Sequence, residues 1–258
     1  MRRWSVPIGR VWGIGLDLHA SWFLVLGLVT WATAVAFERA YPRLGPASHV
    51  SMALITAVAF FACLLAHEVA HSVVARRFGI PIHGITLFAF GGVARIEGEV
   101  PTADREFGVA LVGPATSVAL AGVFALLTSV ATALRWRQGE GVVATLALVN
   151  LGVALFNLVP GLPLDGGRLL RAALWRLRGD RRRATRVASA GGRLVAGLLA
   201  ALGLAIVLTG DVFGLWYVPM AAFLWVLARS AGRLERPGGP GGGVALNLHE
   251  GEASQPRS

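Results

Sequence analysis

The sequence predicts an all-α polytopic membrane protein, and three observations carry that prediction. Hydrophobic residues make up 55% of the 258-residue chain and charged residues 15%, against roughly a quarter charged in an ordinary soluble domain, and the mean hydropathy is +0.64. The apolar residues fall into about six runs, near residues 19–37, 50–75, 106–134, 141–175, 187–209 and 212–228, on the scale of the ~20 residues a spanning helix needs. All 24 basic residues are arginine, and they gather in short stretches between the runs.

That placement turns the net charge of +10 into topological information. It excludes a nucleic-acid partner in favour of the lipid bilayer, because the arginines form no stripe on a soluble surface. One set of connections holds Arg2, Arg3, Arg10, Arg76, Arg77, Arg95 and Arg105, then the cluster from Arg168 to Arg186, then Arg229, Arg233, Arg236 and Arg257. The alternate set holds only Arg39, Arg43, Arg135 and Arg137. The expectation is a multi-pass protein of the cell membrane with both termini cytoplasmic.

Residues 1–18 are basic, reach a long apolar stretch late and show no small-residue cleavage site, so they read as a retained cytoplasmic leader. Residues 19–230 form the six-helix domain. The tail, residues 231–258, is too rich in Gly, Pro and polar residues to bury a core and reads as disordered and cytoplasmic. A single cysteine, Cys63, excludes an intramolecular disulfide. Between the second and third runs, IHGITLFAFGGVARIEGE (82–99) alternates and then carries Gly91 and Gly92, a two-residue signal for a tight hairpin. An exposed edge there could accept an extended peptide as an added strand.

The second run contains the chemistry. FFACLLAHEVAHSVVARRFGI (60–80) opens as an apolar segment and then places an acid between two histidines. His67 and His71 are four residues apart, about 40° around a helix and one turn apart in height, so two imidazoles can meet one metal ion. Glu68 flanks that face, where its carboxylate can reach a metal-bound water without ligating: the HExxH pattern with Glu as general base. Ionisable groups in an apolar span are costly, by about 2.5 kcal/mol or more, and mark function.

A catalytic zinc takes three protein ligands and leaves one position open. Among the other histidines, His49 falls in the outer loop and His249 in the tail, both read as solvated, while His19 and His83 start a span and a strand and read as structural. Cys63, one turn before His67, reads as a buried apolar filler. Asp165 is the strongest candidate, the only carboxylate of the fourth run. Its setting, NLVPGLPLDGG, breaks the helix through Pro160, Gly161, Pro163, Gly166 and Gly167, and a broken helix at membrane depth is tolerated only beside protein or a polar cavity. The alternative role for Asp165 is an N-cap of the following helix. Asn157 offers an amide to an extended peptide or an oxyanion, or to a carbonyl of its own broken helix. The arginines from Arg168 to Arg186 read as cytoplasmic anchors.

HEVAH in one span with NLVPGLPLDGGR in a later one resembles the site-2 protease family of intramembrane zinc metalloproteases. The resemblance covers roughly residues 7–230: GRVWGIGLDLHASW is similar to the family's amphipathic leader, and EFGVALVGPATS, with Gly113 and Pro114, to the opening of the span after the hairpin. It implies His67, His71 and Asp165 as ligands of one Zn2+ per protomer, Glu68 as catalytic acid/base, Asn157 as substrate-positioning, and the Gly91–Gly92 hairpin beside the substrate. It further implies an endopeptidase cutting in or near the transmembrane segment of a single-span membrane protein, such as an anti-sigma factor or membrane-tethered regulator. A PDZ insertion or an appended nucleotide-binding module, present in many relatives, is not visible in the sequence. The alternative reading is a non-proteolytic membrane protein that binds or transports metal. The HExxH run has no counterpart in the second half, which argues against an inverted-repeat transporter.

Overall fold

The computed structural model describes residues 5–88, 91–96 and 100–234. The leader is a β-hairpin, β1 (Ser5–Val11) and β2 (Ile14–His19), followed by α1 (Ser21–Ala40) and α2 (Pro46–Arg77). A second hairpin, β3 (Ile82–Phe88) and β4 (Gly91–Ile96), precedes α3 (Ala103–Ala133) and α4 (Arg137–Asn157). A short α5 (Asp165–Arg178), a long α6 (Arg181–Leu208) and, after a 3-10 turn, α7 (Tyr217–Leu234) complete the fold.

Local chemistry sets these boundaries. Gly45 and Pro46 open α2, since proline at the first helical position lacks only a donor that has no partner there anyway. The chain leaves α2 through Gly79 at φ +78, a left-handed conformation that glycine adopts without a Cβ penalty. Thr102 caps α3, its side chain accepting from the Arg105 amide, and Asp104 and Glu106 follow in the first turn, where acids complement the helix dipole. Asp180 caps α6 in the same manner by accepting from the Arg183 amide.

Five helices, α1, α2, α3, α4 and α6, are long and apolar enough to cross a membrane. The sixth expected run is divided between the 3-10 turn Val212–Trp216 and the 18-residue α7. The fourth run, read as continuous from 141 to 175, is two helices joined through the break at 158–164. Leu24, Leu126, Leu148 and Leu208 are each at least 70% exposed. Such apolar faces on spanning helices are what lipid covers, and the chain is a multi-pass membrane protein. Of the spans, α2 is the most buried, at 39% of its apolar window against 11% for α1, so the helix carrying HExxH is the central one.

Both hairpins, His49 and the end of α7 differ from expectation. The leader pairs with the second hairpin in one four-stranded sheet of order β1-β2-β3-β4, with β2 parallel to β3 and the other pairs antiparallel. Alternation puts Ile14 and Leu16 of β2 on one face, where they join Ile85 and Leu87 of β3 and Val69 of α2 in one buried cluster. The sheet therefore rests on the face of α2 that carries Leu65, Val69 and Val73, roughly opposite the face of His67 and His71. In the second hairpin Gly91 pairs with Phe88 and Gly92 with Leu87, so the two glycines begin β4 and are not its turn; residues 89–90 and 97–99 lie outside the described residues. His49 also departs from its solvated reading: it is in α2, 6% exposed, with Nε2 3.0 Å from the Tyr41 carbonyl oxygen. Helix α7 runs to Leu234, four residues into the expected tail; His249 and the rest of that tail lie outside the described residues.

Candidate metal centre

On α2 the histidine spacing does what helical geometry requires. His67 and His71 project from one face, with ring centroids 4.9 Å apart and their Nε2 atoms 3.2 Å apart. Asp165, 98 residues downstream of His67, directs Oδ2 to within 3.2 Å of His67 Nε2 and 3.0 Å of His71 Nε2. Asp165 is the first residue of α5, and the N-cap position belongs to Leu164, which makes no side-chain cap. The aspartate is thus turned to the histidines and not spent on its own helix.

The partners of the outer nitrogens fix what the inner ones offer. His71 Nδ1 lies 2.6 Å from the Val109 carbonyl oxygen, which can only accept, so the ring proton sits on Nδ1 and Nε2 presents a lone pair. His67 Nδ1 lies 2.9 Å from Ser117 Oγ, a hydroxyl able to accept in the same way. A bare imidazole nitrogen on His71, a second that Ser117 allows to be bare on His67, and a carboxylate oxygen, all on residues at most 7% exposed, converge on one point. With both nitrogens bare, three acceptors in a buried pocket repel unless a cation joins them. Ligands about 2.0–2.1 Å from a tetrahedral ion lie about 3.3–3.4 Å from one another, close to the 3.0–3.2 Å separations here. Among the described residues this is the one group of ligand atoms so placed, and it fits a zinc-type centre with an open fourth position.

Three further groups shape the site. A Cβ on Gly113 would stand 2.1 Å from His71 Nε2 and 2.6 Å from His67 Nε2, so α3 gives way to the imidazoles only because that residue has no side chain. A Cβ on Gly92 would stand 2.5 Å from Glu68 Cγ, which brings β4 directly against the half-buried Glu68. Arg168 Nη1 is 3.6 Å from Asp165 Oδ1, leaving Oδ2 to face the histidines.

Sequence reasoning missed how α5 is held. Glu106, 1% exposed, receives both Nε and Nη2 of Arg171 on its Oε1, and Arg176 pairs with Asp104. Arg168, Arg171 and Arg176 therefore face partners on α3 and in the site, and the reading of this cluster as plain anchors does not hold for them. The available signal was Glu106 itself, an acid at the start of an apolar run. The loop before α5 is locked by backbone approach: the Leu162 amide donates to the Ala188 carbonyl of α6 at 3.0 Å, and a Cβ on Gly192 would stand 1.7 Å from the Leu162 carbonyl oxygen. Asn157 donates through Nδ2 to the Val153 carbonyl of its own helix at 3.0 Å, and Cys63 is buried.

Fold and site together define a multi-pass membrane protein with a buried centre of two histidines and one carboxylate, drawn from an HExxH helix and a later broken segment. Peptidase family M50 matches residues 55–134 and 129–202, more than half of the sequence, and the chain belongs to that family. It is 42% identical over 227 residues to Rip3 of Mycobacterium tuberculosis, covering 87% of this chain and 58% of that protein. It is 29% identical over 204 residues to the zinc metalloprotease MJ0392 of Methanocaldococcus jannaschii, covering 78% of this chain and 54% of that one. The chain thus spans less than two thirds of the length of these curated relatives. Its fold is similar to that of a solved site-2 protease from Methanocaldococcus jannaschii, with a TM-score of 0.59 at 24% identity, over 89% of this chain and 96% of that one.

Proposed function

We propose that this chain is a zinc-dependent endopeptidase that hydrolyses a peptide bond in or beside the transmembrane segment of a single-span membrane protein, such as an anti-sigma factor or a membrane-tethered regulator. The observation that carries the reading is the convergence of His67, His71 and Asp165 within 3.2 Å of one another, with Glu68 next to His67, inside a membrane domain. Membership of peptidase family M50 supports it.

His67, His71 and Asp165 would hold one zinc ion, whose chemistry is to polarise the scissile carbonyl and acidify a water toward a pKa of about 7. Glu68 would take a proton from the attacking water and return it to the leaving amine. Gly92 leaves room for the Glu68 carboxylate to move between those tasks. A helical substrate hides its carbonyls in its own hydrogen bonds, so the bond to be cut must be presented in an unwound segment. β4 is the terminal strand of the sheet order and lies against Glu68, so an extended substrate added along it would pass the catalytic acid/base. Asn157 has its amide nitrogen committed to Val153 and its Oδ1 left to accept from a substrate amide. The arginine distribution supports both termini in the cytoplasm, which would put the product on that side of the cell membrane.

The test is cleavage in liposomes of a single-span reporter carrying an Asn-Pro pair near the expected cut, by wild type and Glu68→Gln. Expected is cutting by wild type only, at equal metal content in both, with less cutting when the Asn-Pro pair is replaced by Leu-Leu. Equal cutting by Glu68→Gln, or metal transport that persists in it, would contradict the assignment.

A further inference from the structure

A second concentration of charge lies away from the metal centre and takes no part in the proposed hydrolysis. Helices α6 and α7 pack together, and the first half of α6 and the second half of α7 frame a half-open cavity of about 530 Å³. Arg186, Ser189 and Arg193 line it from α6, and Trp225, Arg229 and Arg233 from α7. Spacings of three, four and eight residues keep each set on one helical face. Four guanidinium groups therefore share one concavity, and among the described residues none of them is ion-paired with a carboxylate. Like charges gathered this way repel, and an anion that joins them relieves the repulsion.

The floor of the cavity adds a separate observation. Ser189 is 0% exposed, and its hydroxyl has no hydrogen-bond partner, a deficiency that buried polar groups rarely carry. Gly232 packs over it: a Cβ there would stand 3.3 Å from Ser189 Cβ and 3.4 Å from its Oγ, so a side chain would press on the already buried hydroxyl. A buried donor beneath a ring of guanidinium groups is a cradle for an oxyanion. Arginine forks match phosphate oxygens in pairs.

We propose that this cavity is a phosphate-recognising site that holds the headgroup of an anionic phospholipid. Its volume falls within the ~300–1,000 Å³ of small-molecule sites, ample for a headgroup and oversized for a bare phosphate ion. The lipid source is favoured by what lies below. Leu194, Leu198, Leu202 and Val226 are 48–65% exposed, giving acyl chains an apolar track along α6 and α7 from the same end. Trp225, 44% exposed and one helical turn before Arg229, adds an apolar wall to the cavity. Basic pockets between spanning helices are known to take phosphorylated headgroups.

The full chain is reconstituted in nanodiscs of phosphatidylcholine alone or with phosphatidylglycerol, and both retained lipid, by native mass spectrometry, and Tm are measured. Expected is preferential retention of phosphatidylglycerol with a raised Tm. In Arg193→Gln/Arg229→Gln the preference falls on the order of tenfold and the Tm rise disappears. Arg135→Gln/Arg137→Gln, exposed arginines at the far end of the bundle, leaves both unchanged. If the first double variant does not fold, Arg186→Gln/Arg233→Gln, both exposed, carries the same comparison. Unchanged preference in these variants, or equal loss in the far-end control, would overturn the site. An equal Tm rise from inorganic phosphate in phosphatidylcholine nanodiscs would overturn the lipid as its occupant.

Discussion

Helices α2 and α5 both bring ligand atoms to one point, yet they are held there by opposite means. α2 is a 32-residue apolar helix in the middle of the bundle, and its two histidines meet because 3.6 residues make a turn. α5 has 14 residues and follows a broken segment, so nothing in its own periodicity aims Asp165. Its position comes from the Glu106–Arg171 pair, from Arg168 beside Oδ1 and from the glycine-tight crossing of residues 158–164 over α6. One half of the site is held by register and the other by tertiary clamps. Damage to α2's side of the site should therefore act through its space, and damage to α5's side through packing far from the ligand.

The sharpest contrast comes from space. Gly113→Ala puts a Cβ within 2.1 Å of His71 Nε2; metal content should fall to background while circular dichroism keeps the helical signal. If Gly113→Ala retains metal, the imidazoles are not pressed against α3. Next comes the clamp. Glu106→Ala leaves Arg171 unpaired beside a buried position and should destabilise the protein by about 3–5 kcal/mol, read as a lower Tm together with weaker metal binding. Glu106→Leu/Arg171→Met should recover much of the Tm without restoring the metal affinity, because the new pair packs but does not orient. Recovery of both would reduce the clamp to packing.

Smaller effects refine the α2 side. Ser117→Ala removes the partner of His67 Nδ1 and should weaken metal binding about 10–100-fold with little change in Tm; an unchanged metal Kd would remove Ser117 from the support of the ligand. The smallest change is expected from Asn157→Leu, whose hydrogen bond to Val153 is worth about 1 kcal/mol. It should raise KM for a single-span substrate more than it lowers Tm or metal affinity. A Tm effect with unaltered kinetics would assign Asn157 to its own helix alone.

The same contrast governs what could be read from the sequence. His67, Glu68 and His71 were legible because their relation is local, and Asp165 because an acid in a glycine- and proline-broken apolar run is too costly to stand there without a task. The joining of the leader to the 82–96 hairpin was not legible, since the parallel β2–β3 pairing spans two intervening helices and leaves no local signature. Gly91 and Gly92 looked like a turn because paired glycines usually supply one. Here Gly92 instead makes room for Glu68, a demand set by another helix. His49 was read as solvated from its place between two apolar runs, yet α2 begins earlier than hydropathy suggests, at Pro46, and buries it. Arg171 resembled every other arginine of its cluster until α3 was placed beside α5.

The central claim, that residues 98 apart form one metal centre, is tested most directly by counting zinc per protomer in chelator-free wild type and in Asp165→Ala. Close to one zinc is expected in the wild type, and its loss, or a much weakened affinity, in the variant at unchanged helical content. Equal zinc in the two proteins, or none in the wild type, would contradict it.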